Sequence, residues 1–312
     1  MPAFATHYIF LDELKEELLK KADFEFDFKV GGVGCQGPDI FLFHRLWPPF
    51  KIYKSLSSVS SALHRGKSEK QFEAFRDYLD ISENRDIAKS YIYAYILHYA
   101  LDRNCHPYVY ARQDEMTAVN KHIHPLAAHN IVEHAVDTYL LYHRCGIYPP
   151  SLFDSKATFT DSTAAYNEIS RLMNFVIKRA TERDVSEDEI TRAITDTADL
   201  QDMLRDEKGN IRRIANGIET PLAPLIKNFK FSASIKPKDL EIADNCANIK
   251  NKAWTSPYDK TTHSDSFEEL FERAKVDALG LIDGFEALCR GEKTAYEVTG
   301  NISFLSGLEV TD

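Results

Sequence analysis

The run Ile96-Leu97-His98-Tyr99-Ala100-Leu101-Asp102-Arg103-Asn104-Cys105-His106-Pro107 decides how the chain is read. His98, Asp102 and His106 stand four apart, so on a continuing helix they share one narrow arc of a single face. A second stretch, Ala128-His129-Asn130-Ile131-Val132-Glu133-His134-Ala135-Val136-Asp137, repeats the device with His129, Glu133 and Asp137. Either set alone also fits ordinary hydrogen-bonded core residues, since buried polar groups need partners whatever their role. Together they place ionisable groups on two faces that should be apolar, which is costly unless something pairs them. Two such helices side by side bring imidazoles and carboxylates together. Zinc accepts that mixture at four tetrahedral positions, and a catalytic site leaves one of them to water.

Working outward, 312 residues suffice for one large or two ordinary domains. Tyr148-Pro149-Pro150 is the plausible break, so a metal-binding helical domain is expected over residues 1–150, with a helical C-terminal region over 151–312 packed on it. Ten of the eleven histidines lie at or before His143, which puts the chemistry in the first part. Lys and Arg total 38 against 48 Asp and Glu, a net charge of -10, and most of that excess falls after residue 150. Such a balance advertises neither a general nucleic-acid surface nor an anionic-membrane surface.

Cys35, Cys105, Cys145, Cys246 and Cys289 are odd in number, scattered and without C-x-x-C spacing, which suits a reducing compartment better than a disulfide framework. Met1-Pro2-Ala3-Phe4-Ala5-Thr6-His7 lacks the basic region and apolar run of a secretory signal, and no stretch approaches the roughly 20 apolar residues of a membrane span. A cytoplasmic address is expected.

Helical periodicity is read over residues 11–21, with His7 ahead of it as a surface or capping residue. Gly31-Gly32-Val33-Gly34 is read as a flexible turn between helices, because neither a Walker ending nor G-x-G-x-x-G after a strand is present. Asp39 precedes the apolar run Ile40-Phe41-Leu42-Phe43, where a helix cap is the ordinary account. Trp47-Pro48-Pro49-Phe50 is read as an aromatic loop. Further helices are expected from residue 59 to His64-Arg65-Gly66, and over residues 67–79, 86–105, 121–142 and 161–181. Another follows Ser186 to about residue 205, one runs from Lys238 to about residue 250, and the last opens at Ser266 and ends near Gly291. Residues 206–210 are read as a turn, and Trp254-Thr255-Ser256-Pro257-Tyr258 as a second aromatic loop. His106 sits before a proline, which pushes it from helical geometry toward a neighbouring metal. With few convincing strands, the fold is expected to be all-α.

Several metal or phosphate chemistries are excluded by motif. The chain has no adjacent His-Asp pair, no H-E-x-x-H and no Glu-x-x-His.

The ordered set His7, Gly37-Pro38-Asp39, Leu63-His64, His98-x-x-x-Asp102 with His106-Pro107, and His129-x-x-x-Glu133 resembles the zinc-dependent phospholipase C family. That family shares its all-helical bundle and metal cluster with fungal single-strand nucleases, and the likeness covers roughly residues 1–145. The resemblance implies two or three zinc ions, with other divalent metals able to use the same donors. Asp39, His64, His98 and Asp102 would hold one ion, His106, His129 and Glu133 a second, and His7 with a bridging Asp102 a third. In the family a free amino-terminal Trp completes the third site, whereas Met1-Pro2-Ala3 stands here, and the Asp102 to His106 spacing is shorter than in secreted members. The implied activity is hydrolysis of a small phosphodiester or phospholipid head group by a metal-bound water, with Asp39 orienting or deprotonating the nucleophile. Asp137 would support a ligand histidine. A single-strand nuclease-like hydrolase and a noncatalytic metal-stabilised helical protein are the alternatives.

Overall fold

The computed structural model describes residues 4–46, 55–222 and 231–311, so Met1-Pro2-Ala3 and the Trp47-Pro48-Pro49-Phe50 loop lie outside the described residues. The expected all-α class holds. Helices α1 (Phe4–Glu13), α2 (Lys15–Lys21) and α3 (Phe28–Gly34) lead through a 3₁₀ turn, Gly37–Phe41, to α4 (Ser57–Arg65) and α5 (Ser68–Leu79). Then follow α6 (Arg85–Val119), α7 (Pro125–His143), α8 (Thr163–Thr181), α9 (Glu187–Leu204), α10 (Asn210–Leu222), α11 (Leu240–Cys246), α12 (Phe267–Cys289) and α13 (Ala295–Thr299). Among the described residues the sheet is one antiparallel pair, β1 (Trp254–Thr255) with β2 (Thr262–His263), in the register Trp254 to His263.

The axis of the molecule is α6. Every residue from Ala88 to Asp102 is buried, as expected of a helix packed on all sides. It lies most extensively against α12 and α3 and also meets α7. Asn84 caps its start through the Ile87 N–H. The helix does not stop at residue 105: it runs through Pro107 to Val119. Proline inside a helix removes one N–H bond to the carbonyl four residues back. Here dense packing outweighs that loss, and His106 keeps its place on the Asp102 face.

Two other expectations are corrected. The first helix begins at Phe4, so His7 is an interior helical residue, 1% exposed, rather than a surface cap. The Gly31 to Gly34 run is helical and buried, not a flexible turn. A Cβ on Gly34 would come within 2.6 Å of the Tyr91 carbonyl oxygen, so its absence lets α3 lie directly on α6. The turn expected over residues 206–210 is present, and α10, a helix not expected from the sequence, follows it.

Core packing continues from Phe4 to Phe304 and includes α12, whose start carries a full capping box between Ser266 and Glu269.

Candidate metal centre

Four elements deliver the side chains that α6 began to assemble. On α6 itself, one helical turn separates His98 from Asp102 and another separates Asp102 from His106. All three are fully buried. From α1 comes His7, whose ring stacks on that of His98 at 4.2 Å between centroids. The 3₁₀ turn supplies Asp39 and α4 supplies His64, with His64 Nε2 3.3 Å from Asp39 Oδ1. From α7 come His129 and Glu133, joined at 2.9 Å.

All eight expected donors therefore converge. They fall into three sets whose donor atoms lie within 4.8 Å of one another: His7, Asp39 and His98; His64, His98 and Asp102; and His106, His129 and Glu133. Asp102 is the joint between them. Its Oδ1 faces His7 Nε2 at 3.5 Å, while Oδ2 faces His98 Nε2 at 3.1 Å and His64 Nε2 at 3.5 Å. The rings of His106 and His129 lie near-parallel at 6.2 Å, so successive turns of α6 pass from one set to the next.

The imidazoles are oriented from behind. His64 Nδ1 lies 2.8 Å from the Ser60 carbonyl, His98 Nδ1 3.2 Å from the Cys35 carbonyl, and His106 Nδ1 2.6 Å from the Phe304 carbonyl. His129 Nδ1 is 3.1 Å from Gln113 Oε1. Each such contact makes Nδ1 the donor and leaves Nε2 as the nitrogen that offers a lone pair once the ring is neutral, which is how proteins present histidine to a metal. The Nε2 atoms of His64, His98 and His106, both nitrogens of His7, and both oxygens of Asp102 are buried and make no hydrogen bond. So many buried polar atoms without partners would be costly in a finished core. The donor set fits a divalent cation, zinc in particular.

Electrostatics agree. Burial alone would raise the Asp102 pKa, but His106, His98, His64 and His7 outweigh it and hold the carboxyl well below its usual range. Burial keeps His106 and His129 neutral by pushing their pKa values well down, and burial with the neighbouring His98 also lowers that of His7. Burial opposes charge on His64 too, yet Asp102 and Asp39 together overcome it and raise this group to about 9. Glu133 is pushed well up by burial, with Asp39 and Asp102 adding to the effect.

The orienting groups escaped sequence reading because three of the four are backbone carbonyls, which carry no residue signature. Gly37 had a signal that was not used. It adopts φ +51, and a Cβ there would meet the His98 ring at 2.4 Å, so glycine both makes the turn and seats the ligand. Asp137 does not bond a ligand histidine. Its carboxylate accepts from the Ala5 and Thr6 N–H groups and the Thr6 hydroxyl at 3.2, 2.8 and 2.7 Å, anchoring the start of the helix that bears His7. His134 and His143 turn elsewhere, to the Asn130 carbonyl and to Asp244. The buried His44 accepts from the Leu56 N–H and meets Glu189 at 2.7 Å.

A family model described as zinc dependent phospholipase C matches residues 6–201. Neither a curated protein nor a solved structure matches the chain.

Proposed function

The chain belongs to the zinc-dependent phospholipase C family, and from that premise we propose that it hydrolyses a small phosphodiester or phospholipid head-group ester at the His7 to Glu133 cluster. The observation that carries this reading is the convergence of the eight side chains, in which the Nε2 atoms of His64, His98 and His106 and both oxygens of Asp102 are buried without hydrogen bonds while the Nδ1 side of those three rings is pinned. Asp39, His64, His98 and Asp102 would hold one zinc, and His106, His129 and Glu133 a second. His7, with Asp102 as a bridge, offers a third position.

Zinc held there supplies Lewis acidity toward the phosphoryl oxygens and lowers the pKa of a bound water toward about 7. The chain's own contribution is orientation and proton handling. The fully buried end of the cluster is Asp102, His98 and His106, whereas Asp39, His129 and Glu133 each retain 6 to 7% exposure. That residual exposure supports approach of solvent and substrate from the side bearing Asp39, His129 and Glu133, with the Asp39 carboxylate as the group that would align an attacking water and take its proton. The carbonyl and amide acceptors behind the imidazoles prevent the rings from turning during the reaction.

No helix of the described residues is long and apolar enough to cross a membrane. All five cysteines are free, and we place the protein in the cytoplasm on that ground. Protein isolated without reductant should titrate five thiols, and a disulfide would count against this address.

The decisive experiment measures zinc content and turnover together. Purified without chelator, the protein should carry two or three equivalents of zinc and hydrolyse a chromogenic phosphocholine ester, and zinc removal should abolish that activity. Less than one equivalent of a divalent metal overturns the metal reading. Full zinc content with cleavage of a single-stranded oligonucleotide alone would make the protein nuclease-like, and full zinc with no turnover of either would make it noncatalytic.

A further inference from the structure

The chain beyond residue 201 lies outside the family match, yet one piece of it reaches the cluster. After α13, residues 301–309 form a tight reverse turn closed by the Ile302 to Glu309 bridge and by the Ser303 N–H donating to the Leu308 carbonyl at 2.8 Å. Within it the Ser303 hydroxyl accepts from the Leu305 and Ser306 N–H groups, and the Gly307 N–H donates to the Ser303 carbonyl. The turn is tied to the rest of the fold on two sides: Tyr99 donates to the Ile302 carbonyl at 2.7 Å, and the Glu69 N–H donates to Asn301 Oδ1 at 2.9 Å. What remains at its tip is the Phe304 carbonyl, which takes the His106 Nδ1–H at 2.6 Å. The buried Phe304 ring also packs edge-on against His64 at 5.2 Å and lies tilted against Tyr99 at 4.6 Å.

Gly307 allows the approach. It adopts φ +65, and a Cβ would come within 2.7 Å of the Arg103 carbonyl oxygen and 3.3 Å of the Pro107 ring. The turn thus seats against the stretch of α6 where Pro107 supplies no N–H to that carbonyl.

We propose that this C-terminal turn is a positioning element for the second metal group: the Phe304 carbonyl fixes His106 as the Nδ1–H tautomer with Nε2 toward the cation shared with His129 and Glu133, and Gly307 lets the turn dock closely enough to do so. The proposal rests on the metal-binding reading above. It makes one zinc dependent on residues outside the family's matched region.

The test uses the full chain with zinc alone as the probe. Gly307→Ala and the larger Gly307→Val are compared with Gly291→Ala, a glycine at φ +73 with nothing within 4 Å of its Cβ position. Gly291→Ala imposes the same kind of backbone strain away from the cluster. Chelator competition gives the affinity of each zinc. Long-range ¹H–¹⁵N NMR, with the His106 signal assigned by its loss in His106→Gln, reports that ring's tautomer. The expected result is about 10- to 100-fold weaker binding of one zinc in the Gly307 variants, loss of the exchange-protected His106 Nδ1–H, and wild-type behaviour of Gly291→Ala. Zinc binding and an Nδ1–H signal in Gly307→Ala and Gly307→Val equal to wild type would overturn the inference, as would an equal loss in Gly291→Ala. A wild-type chain that takes up no zinc would instead overturn the metal reading and take this inference with it.

Discussion

Each of the five cluster histidines has two ring nitrogens, and the fold engages Nδ1 of four of them. The effect on proton chemistry is clearest at His64, whose pKa is raised to about 9 by Asp102 and Asp39 against the pull of burial. In the metal-free protein this group stabilises the fold fully below its unfolded value of about 6.5, and that contribution is lost as pH rises through about 9. Zinc must displace the same proton. Zinc uptake at pH 7 should therefore release about one proton from His64, and apparent affinity should climb with pH from 6.5 to 9. Calorimetry in buffers of differing ionisation enthalpy measures that release, and a pH-independent affinity over this window would contradict it. Asp102→Asn removes the charge that faces His7, His64 and His98, and metal analysis should show the loss of at least one zinc. Asp39→Asn should lower kcat by about 10²- to 10⁴-fold. A loss confined to KM would remove Asp39 from the proton-handling role.

At the scale of the element, ligand placement depends on how closely helices approach. Gly34 and Gly32 carry this on α3: a Cβ on Gly32 would lie 2.0 Å from the Thr158 carbonyl oxygen. Backbone cannot swing aside as a side chain can, so Gly32→Ala should destabilise the protein by about 1 to 3 kcal/mol or more, read as a shift in the denaturation midpoint. The start of α1 depends on Asp137, which is fully buried and accepts from two backbone N–H groups there. Carboxylates at a helix N-terminus are favoured by its exposed donors. Asp137→Ala should cost about 3 kcal/mol by orphaning those donors and should also loosen the zinc position that includes His7. Unchanged stability in that variant would mean that water readily replaces the carboxylate as acceptor for those N–H groups.

For the molecule as a whole, the metal and the core are one system. The cluster joins α1, the 3₁₀ turn, α4, α6 and α7, and a cation that binds only the folded arrangement stabilises it by mass action. Chelation should therefore lower Tm, with zinc at about a thousand times its Kd worth about 4 kcal/mol. An unchanged Tm after complete zinc removal would mean that the cluster is already satisfied without metal.

The sequence by itself determined the all-helical class and singled out His98, Asp102, His106, His129 and Glu133, because four-residue spacing on apolar faces is a local signal that survives without neighbours, whereas His7, Asp39 and His64 entered only with the family resemblance. It placed His98, Asp102, His129 and Glu133 on helices correctly, though it ended α6 too early and left His7 outside α1. Pro107 is locally a helix breaker, and only packing from α12 and the 301–309 turn outweighs it. Three glycines in close succession look flexible until the facing helix is known. The partition of donors around Asp102, the backbone carbonyls behind three of the imidazoles, and the reach of Phe304 back to His106 across 198 positions of sequence were decided by tertiary structure alone. A backbone carbonyl is present at every residue, so its use is set by where the fold brings it and leaves no mark in residue type.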